Sequence, residues 1–164
     1  MDRQIAHAVR RAGTWTGAAD RVTLDYEARF LRRRRLATDA GRELFVDLPE
    51  TLSLADGDAL ETTDGALVEV RAAPEPLLEI AASPAELIRL AWHVGNRHMP
   101  AQIEPHRILI RADPVMADML ARLGAATRAV TEAFTPEGGA YGSGRTHAHH
   151  HGGPTDHPHA HAHE

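Results

Sequence analysis

The chain is organised around one stretch, residues 92–100, which reads Trp92-His93-Val94-Gly95-Asn96-Arg97-His98-Met99-Pro100. This stretch closes an apolar helical pattern and reaches a histidine two residues before a proline. The glycine predicts a left-handed helix end at position 95, which would place His98 on the turn that follows. We interpret His98 as a candidate transition-metal ligand, because neutral imidazole is the commonest metal ligand among protein side chains.

Working outward, the residues on either side of this stretch predict alternating strands and helices. Ser83 as N-cap, Pro84 in the first turn and Glu86 at the capping-box position predict the start of the first helix. Asp113-Pro114 predicts the start of a second helix, which Gly124 would end. Residues 77–81, 102–103, 107–111 and 126–134 are typical of strands. The resulting βαββαβ order predicts a ferredoxin-like domain over residues 74–136, and we expect it to bind metal because it contains His98.

The residues before this region indicate a separate, small β domain over residues 1–73. Residues 22–26 alternate, and residues 30–36 and 43–48, the last ending at Pro49, are typical of strands separated by the turn signal Ala40-Gly41. Asp56-Gly57 and Asp64-Gly65 are further turn signals. Segments of this kind predict a small sandwich or barrel. The two prolines of residues 72–76 predict an extended linker without regular structure. The predicted fold class is therefore α+β, with the flexible tail of residues 137–164 after the two domains.

Composition limits the chemistry that the chain can use. Its 164 residues include no cysteine and twelve histidines, so any metal must be held by imidazole and oxygen rather than by thiolate. The formal net charge is −5 with histidine neutral, and it would become positive if the histidines were protonated in mild acid. No apolar run is long enough for a membrane span, and no export signal is visible. We expect a cytoplasmic protein that binds no membrane.

The tail predicts metal capture. Glycine-rich residues 138–144 cannot build a core, and eight histidines follow without apolar periodicity, namely His147, His149, His150, His151, His157, His159, His161 and His163. We expect this segment to be disordered when metal-free. Residues such as Pro154, Asp156 and Pro158 interrupt the tract, which argues against an affinity tag. Several imidazoles on one segment would raise the local concentration of Ni(II), Cu(II) or Zn(II).

The histidines outside the tail do not make a chelating pair within one chain. His93 and His98 are five residues apart, whereas ligands on one helical face need a spacing of three or four. A metal at His98 would therefore need ligands from the tail, or a second His98 across a two-fold axis.

Five arginines lie within seven residues, at Arg29 and at positions 32–35. Such a cluster could bind nucleic acid or an acidic protein, or it could keep an edge strand soluble. The acidic net charge and the absence of interleaved aromatic residues favour the edge strand. If the cluster has a role, we expect protein docking rather than nucleic-acid binding.

No convincing catalytic set is visible, so we predict that the chain is not an enzyme. It has no cysteine, no serine in a nucleophile-elbow context and no phosphate-binding glycine loop before a helix. A zinc-dependent hydrolase would need three clustered ligands that the sequence does not display.

The motif Gly95-Asn96-Arg97-His98, followed by Pro100 and Gln102-Ile103, resembles the UreE family of urease accessory proteins. Similar family features are Asp56-Gly57-Asp58, residues 68–70, Asp118-Met119-Leu120, and Gly138-Gly139-Ala140-Tyr141 before the histidine tail. The resemblance implies a peptide-binding-like β domain, a ferredoxin-like metal domain and a homodimer in which both copies of His98 share one Ni(II) ion. It also implies delivery of nickel, through the urease accessory GTPase, to apo-urease. Gly95, Asn96 and Arg97 would shape the turn without binding metal.

One departure from the family pattern concerns auxiliary ligands. Some members carry histidines just before the second metal-domain helix, where this chain has Arg111-Ala112-Asp113-Pro114. The tail would then supply the auxiliary ligands, with His106 as a further candidate. The main alternative is a histidine-rich storage or buffering protein whose whole function is the tail. The residues alone do not select nickel, since imidazole sites favour Cu(II) intrinsically.

Overall fold

The computed structural model describes residues 4–138, which form two β-sheets and two helices. The first sheet has six strands in the spatial order β2-β6-β5-β1-β4-β3. Their bounds are β1 Gln4–Arg10, β2 Asp20–Leu24, β3 Phe30–Ala37, β4 Glu43–Ser53, β5 Ala59–Thr62 and β6 Leu67–Ala72. β2 overlaps the strand predicted at residues 22–26, and β3 confirms the strand predicted at residues 30–36.

The six-stranded sheet is mixed and curled around an apolar face. β1 runs parallel to β4 and β2 runs parallel to β6, while the other neighbours are antiparallel. The backbone N–H of Asp39, beyond β3, donates to the carbonyl of Arg21 in β2 at 2.7 Å, so the two edges meet at that end. The core of this half includes Ala6, Val22, Leu44, Val46, Leu60 and Val70.

Two prolines do not interrupt strands where the sequence predicted that they would. β4 continues past Pro49 to Ser53, because Pro49 lies beyond the pairing of β4 with β1 and at a register shift against β3. The predicted linker is also wrong, since β7 begins at Pro74. The Pro76 carbonyl accepts from the N–H of Ala112, so the Pro76 nitrogen points to the same side, toward β9. The paired residues of β7 and β9 begin only at Leu77. No ladder donor is missing there.

The second half contains β7 Pro74–Ala81, α1 Pro84–Asn96, β8 Ala101–Glu104, β9 Arg107–Arg111, α2 Pro114–Arg122 and β10 Ala126–Ala133. This confirms the predicted βαββαβ order. The antiparallel sheet has the spatial order β10-β7-β9-β8. Both helices pack on one face, where Leu87, Leu90, Val94, Met116 and Leu120 meet Ile80, Ile108 and Ile110.

The helix starts follow the predicted capping chemistry. The Ser83 hydroxyl accepts from the Glu86 N–H, and the Glu86 carboxylate accepts from the Ser83 N–H, which completes the capping box. The Asp113 carboxylate accepts from the Met116 N–H at 2.8 Å and caps α2. Gly124 follows α2 with φ +79°, the left-handed conformation predicted for it.

The opposite face of the four-stranded sheet packs against the first half. Phe134 is fully buried there with Leu77 and Leu109, and its ring meets the Tyr26 ring edge-on at a centroid distance of 5.3 Å. The Arg29 guanidinium is 2% exposed and donates to the carbonyls of Leu24, Leu54 and Phe134. The arginine cluster is therefore divided, because Arg29 joins the two halves while positions 32–35 are exposed on the edge strand β3.

Candidate metal centre

His98 lies on a tight turn at the end of α1. The helix extends to Asn96 and is capped by Arg97, whose N–H donates to the carbonyls of Val94 and Gly95. The His98 N–H donates to the Gly95 carbonyl at 2.9 Å, and His98 has a φ of +55°. The predicted left-handed cap at Gly95 is wrong: Gly95 lies inside the helix, and the left-handed residue is His98.

This backbone conformation is unusual for a side chain other than glycine. Among residues 4–138, His98 is the sole non-glycine residue with positive φ. Such a conformation costs an L-residue about 1 kcal/mol, although histidine tolerates it better than most. Buried Val94 before the turn and half-buried Met99 after it pack into the core of the helical layer, which fixes both ends of the turn. The imidazole is thus presented to solvent from a rigid base.

Arg97 and His93 contact their neighbours at the end of α1. Arg97 Nη1 donates to the His93 carbonyl at 3.2 Å, which links the cap to the last turn of α1. The half-buried His93 ring lies edge-on to the Trp92 ring at a centroid distance of 5.0 Å. Gly95 and Asn96 are exposed.

An exposed apolar stripe leads along α1 toward the turn. Ile88 and Trp92 are four residues apart and therefore share one helical face, and their exposed fractions are 75% and 63%. Ile103, on the edge strand β8, is 51% exposed. Ile88 and Ile103 line an apolar groove of about 380 Å³ between α1 and β8. Large apolar side chains exposed together in this way mark interaction surfaces.

The described part of the chain does not complete a metal site. Within residues 4–138, no group of three or more His, Asp or Glu side chains is placed to hold an ion. His7 lies on β1 in the other half, and His106 lies in the turn between β8 and β9. His98 precedes β8 and His106 follows it, so the strand separates them. The eight predicted tail ligands lie outside the described residues.

The chain after β10 approaches the His98 turn, which the sequence did not predict. β10 and β8 are opposite edges of the sheet. The N–H and hydroxyl of Thr135 nevertheless donate to Gln102 Oε1 at 2.8 and 3.2 Å, and the Glu137 N–H donates to the Ala101 carbonyl at 2.8 Å. We call residues 134–137 the tail root. Its last member contacts a residue only three positions after His98.

Ion pairs on the same face support the tail root. The Arg107 guanidinium contacts Glu104 at 2.6 Å, Glu132 at 2.9 Å and Glu79 at 2.9 Å. Gln102 Nε2 donates to Glu104 at 2.7 Å, which joins Gln102 to this network. Hydrogen bonds from Arg107 lower the pKa values of Glu79 and Glu104 from their ordinary range. The carboxylates therefore stay charged at neutral pH.

Comparison with known proteins supports the family resemblance. Residues 3–73 match the family "UreE urease accessory protein, N-terminal domain", and residues 75–164 match "UreE urease accessory protein, C-terminal domain". The chain is 54% identical over 151 residues to a urease accessory protein UreE from Ruegeria pomeroyi, covering 92% of this chain and 100% of that protein. It is 56% identical over 147 residues to one from Rhodobacter capsulatus, covering 90% and 92%.

These matches and the two-sheet α+β architecture define a urease accessory protein, a class that is accessory rather than catalytic. The chain belongs to the UreE family. In the described part of the chain, neither helix is long and apolar enough to cross a membrane.

Proposed function

We propose that this chain is a cytoplasmic nickel metallochaperone that carries Ni(II) for assembly of the urease active site. His98 binds the cargo ion from an exposed turn, and the tail histidines supply further ligands and a labile reservoir. The ion passes through the urease accessory GTPase to the apo-urease complex. The observation that carries the proposal is the His98 turn itself, which presents an exposed imidazole that belongs to no group of three or more potential ligands among residues 4–138.

The further ligands that a metal on His98 needs could come from the tail of the same chain or from a second copy of the chain, and the position of His98 supports both sources. The tail root brings the chain to Ala101, which is separated from His98 by at most about 10 Å of extended chain. Ten further residues lead from Glu137 to His147, and their extended length of at most about 35 Å exceeds that separation. His147 and the histidines after it can therefore reach a metal on His98.

The second source is another copy of the chain. The exposed side chains of Ile88 and Trp92 on α1 and of Ile103 on β8 would be covered in a homodimer. A two-fold axis that passes near the C-terminal end of α1 would bring two His98 side chains together, because a symmetric interface contacts the same patch on both copies.

Zn(II) and Cu(II) would also bind such imidazoles in vitro, since intrinsic affinity does not favour Ni(II) over Cu(II). The nickel assignment therefore comes from the family's role in urease assembly. His106, at the other end of β8, remains a proposed auxiliary ligand only.

Activation of purified apo-urease with its accessory proteins at limiting nickel tests the proposal. We expect the parent chain to increase the activated fraction and His98→Asn to lose most of that increase. Asparagine is the chosen replacement because it tolerates a left-handed backbone. The matched control His7→Asn removes an exposed imidazole on β1, in the other half of the chain, and should retain activation.

The storage alternative predicts the opposite pattern. A full-length variant in which the eight tail histidines are alanines would then lose all benefit, while His98→Asn would be harmless. That pattern would overturn the chaperone proposal.

A further inference from the structure

The route of the tail root is not explained by the strand order. A chain leaving β10 would ordinarily depart from that edge of the sheet, three strand spacings or about 14 Å from β8. Instead, Phe134 is buried in the middle of the open face against Leu77 and Leu109, and Glu137 reaches β8. Four residues thus carry the chain from one edge of the sheet to the edge that begins beside His98.

Two kinds of contact hold this crossing. At its start, Phe134 is fully buried and its carbonyl accepts from Arg29. At its end, Gln102 Oε1 accepts both the N–H and the hydroxyl of Thr135, and the Ala101 carbonyl accepts the Glu137 N–H. Gln102 is itself oriented through Glu104, whose other contacts run to Arg107.

We propose that Gln102 is a positioning residue that anchors the tail root at the β8 edge, so that the tail histidines start beside the metal held by His98. This inference rests on the proposed function. It assigns Gln102 no contact with metal. Gln102 would fix the position at which the tail begins. That position sets the effective concentration of tail imidazoles at His98.

The size of the effect follows from the displacement. A ten-residue segment with the composition of a flexible linker has a root-mean-square length of about 17–19 Å. In the release variant the last fixed point of the chain is Phe134, which stays buried against β7 and β9, so the origin moves by one to two strand spacings, roughly 5–10 Å. The effective concentration of tail imidazoles at His98 would then fall roughly two-fold.

The first experiment measures the position of the tail root without metal. Because the chain has no cysteine, Gly138→Cys provides one unique site for a nitroxide label. We expect the label to broaden the amide NMR signals of Arg97 through Ile103. The release variant Gln102→Ala with Glu137→Pro removes the side-chain acceptor and the second N–H donor. It should weaken the broadening at residues 97–103, because the chain would then be held only at Phe134, in the middle of the sheet. Unchanged broadening in the release variant would overturn the anchoring role.

The second experiment measures Ni(II) affinity by competition with a chelator, in two full-length backgrounds. With the natural tail, the release variant should bind its tightest Ni(II) ion roughly two-fold more weakly. With the eight tail histidines replaced by alanine, the same release should have no effect. An equal loss in both backgrounds would indicate a merely structural role and would overturn the proposal.

A rescue variant sharpens the test. Gln102→Glu combined with Glu104→Gln keeps an acceptor oxygen for Thr135 and a donor beside it, at unchanged net charge. We expect it to bind Ni(II) like the parent in the natural-tail background; weakening equal to that of the release variant would contradict the assigned contact.

Failure of the proposed function is distinguishable from failure of this inference. If His98→Asn leaves the tightest Ni(II) site intact, the proposed function and the inference fall together. If His98→Asn removes that site while the release variant has no effect in either background, the function stands and the positioning role of Gln102 falls.

Discussion

Replacing Arg29 should separate the buried member of the arginine cluster from its exposed neighbours. The guanidinium is 2% exposed and donates to three carbonyls, at 3.2 Å to Leu54, at 3.0 Å to Leu24, and to Phe134. Arg29→Ala would leave buried carbonyls without these donors and open a cavity beside Tyr26. Each lost hydrogen bond to a charged donor is worth about 1.5–3 kcal/mol, and part of this loss is offset because the variant no longer has to bury a charged guanidinium.

We therefore expect Arg29→Ala to lower the free energy of unfolding by about 3–5 kcal/mol. Urea unfolding followed by far-UV circular dichroism and by tryptophan fluorescence measures this change. The matched control is Arg34→Ala, from the same cluster but exposed on the edge strand, which should stay within about 0.5 kcal/mol of the parent. Arg29→Lys keeps the charge but not the forked geometry and should lie in between. If Arg29→Ala lowered the free energy of unfolding by less than about 1 kcal/mol, Arg29 would not stabilise the contact between the two halves as inferred.

Three further predictions concern the turn, the acid response and the exposed stripe. His98→Gly should be more stable to unfolding than His98→Ala by about 0.5–1 kcal/mol, because only glycine occupies φ +55° freely; equal stabilities would contradict the left-handed backbone. Burial opposes ionisation of Asp20, but hydrogen bonds from Thr38, the Arg21 N–H and Arg42 outweigh it and lower its pKa from 3.8 to about 2. This folded-state pKa is below the unfolded value, so its stabilisation is present above pH ~4 and is lost as the pH falls toward ~2. One pKa unit is worth about 1.4 kcal/mol, and solvent screens the half-exposed Arg42 partner. We therefore expect the difference in unfolding free energy between the parent and Asp20→Asn to shrink by about 1–2 kcal/mol between pH 5 and pH 2.5. A constant difference would exclude this linkage. Finally, Ile88→Glu should convert a dimer to monomer in sedimentation-velocity measurements, whereas Ala121→Glu on exposed α2 should not; a dimer that survives Ile88→Glu would place the interface elsewhere.

Local signals explain which parts of the fold the sequence could predict. The Ser83 and Asp113 caps and the glycine turns act over a few residues, so their chemistry is visible in the sequence. The error at Gly95 arose because a glycine inside the last helical turn resembles a glycine just beyond it. The prolines of β4 and β7 led to wrong strand ends, because only the pairing with neighbouring strands shows which backbone N–H groups must donate. In each case the missing information was the neighbouring strand.

The residues of the candidate site were likewise predictable only where a local motif marked them. His98 could be proposed from its motif, but the conformation that presents it depends on where α1 ends. Gln102 and Thr135 are thirty-three residues apart, and no spacing rule connects them. The strand predicted at residues 126–134 did not indicate where the chain goes next. Arg29 looked like its exposed neighbours because its burial is created by the second half of the chain.

Equilibrium dialysis of Ni(II) against the full-length chain tests the central claim most directly. The account predicts that the parent has a tight class of site with one ion for two chains, in addition to weaker tail-bound ions. It predicts that His98→Asn removes the tight class and keeps the weaker ions, while His7→Asn leaves both unchanged. Retention of the tight class in His98→Asn would contradict the account.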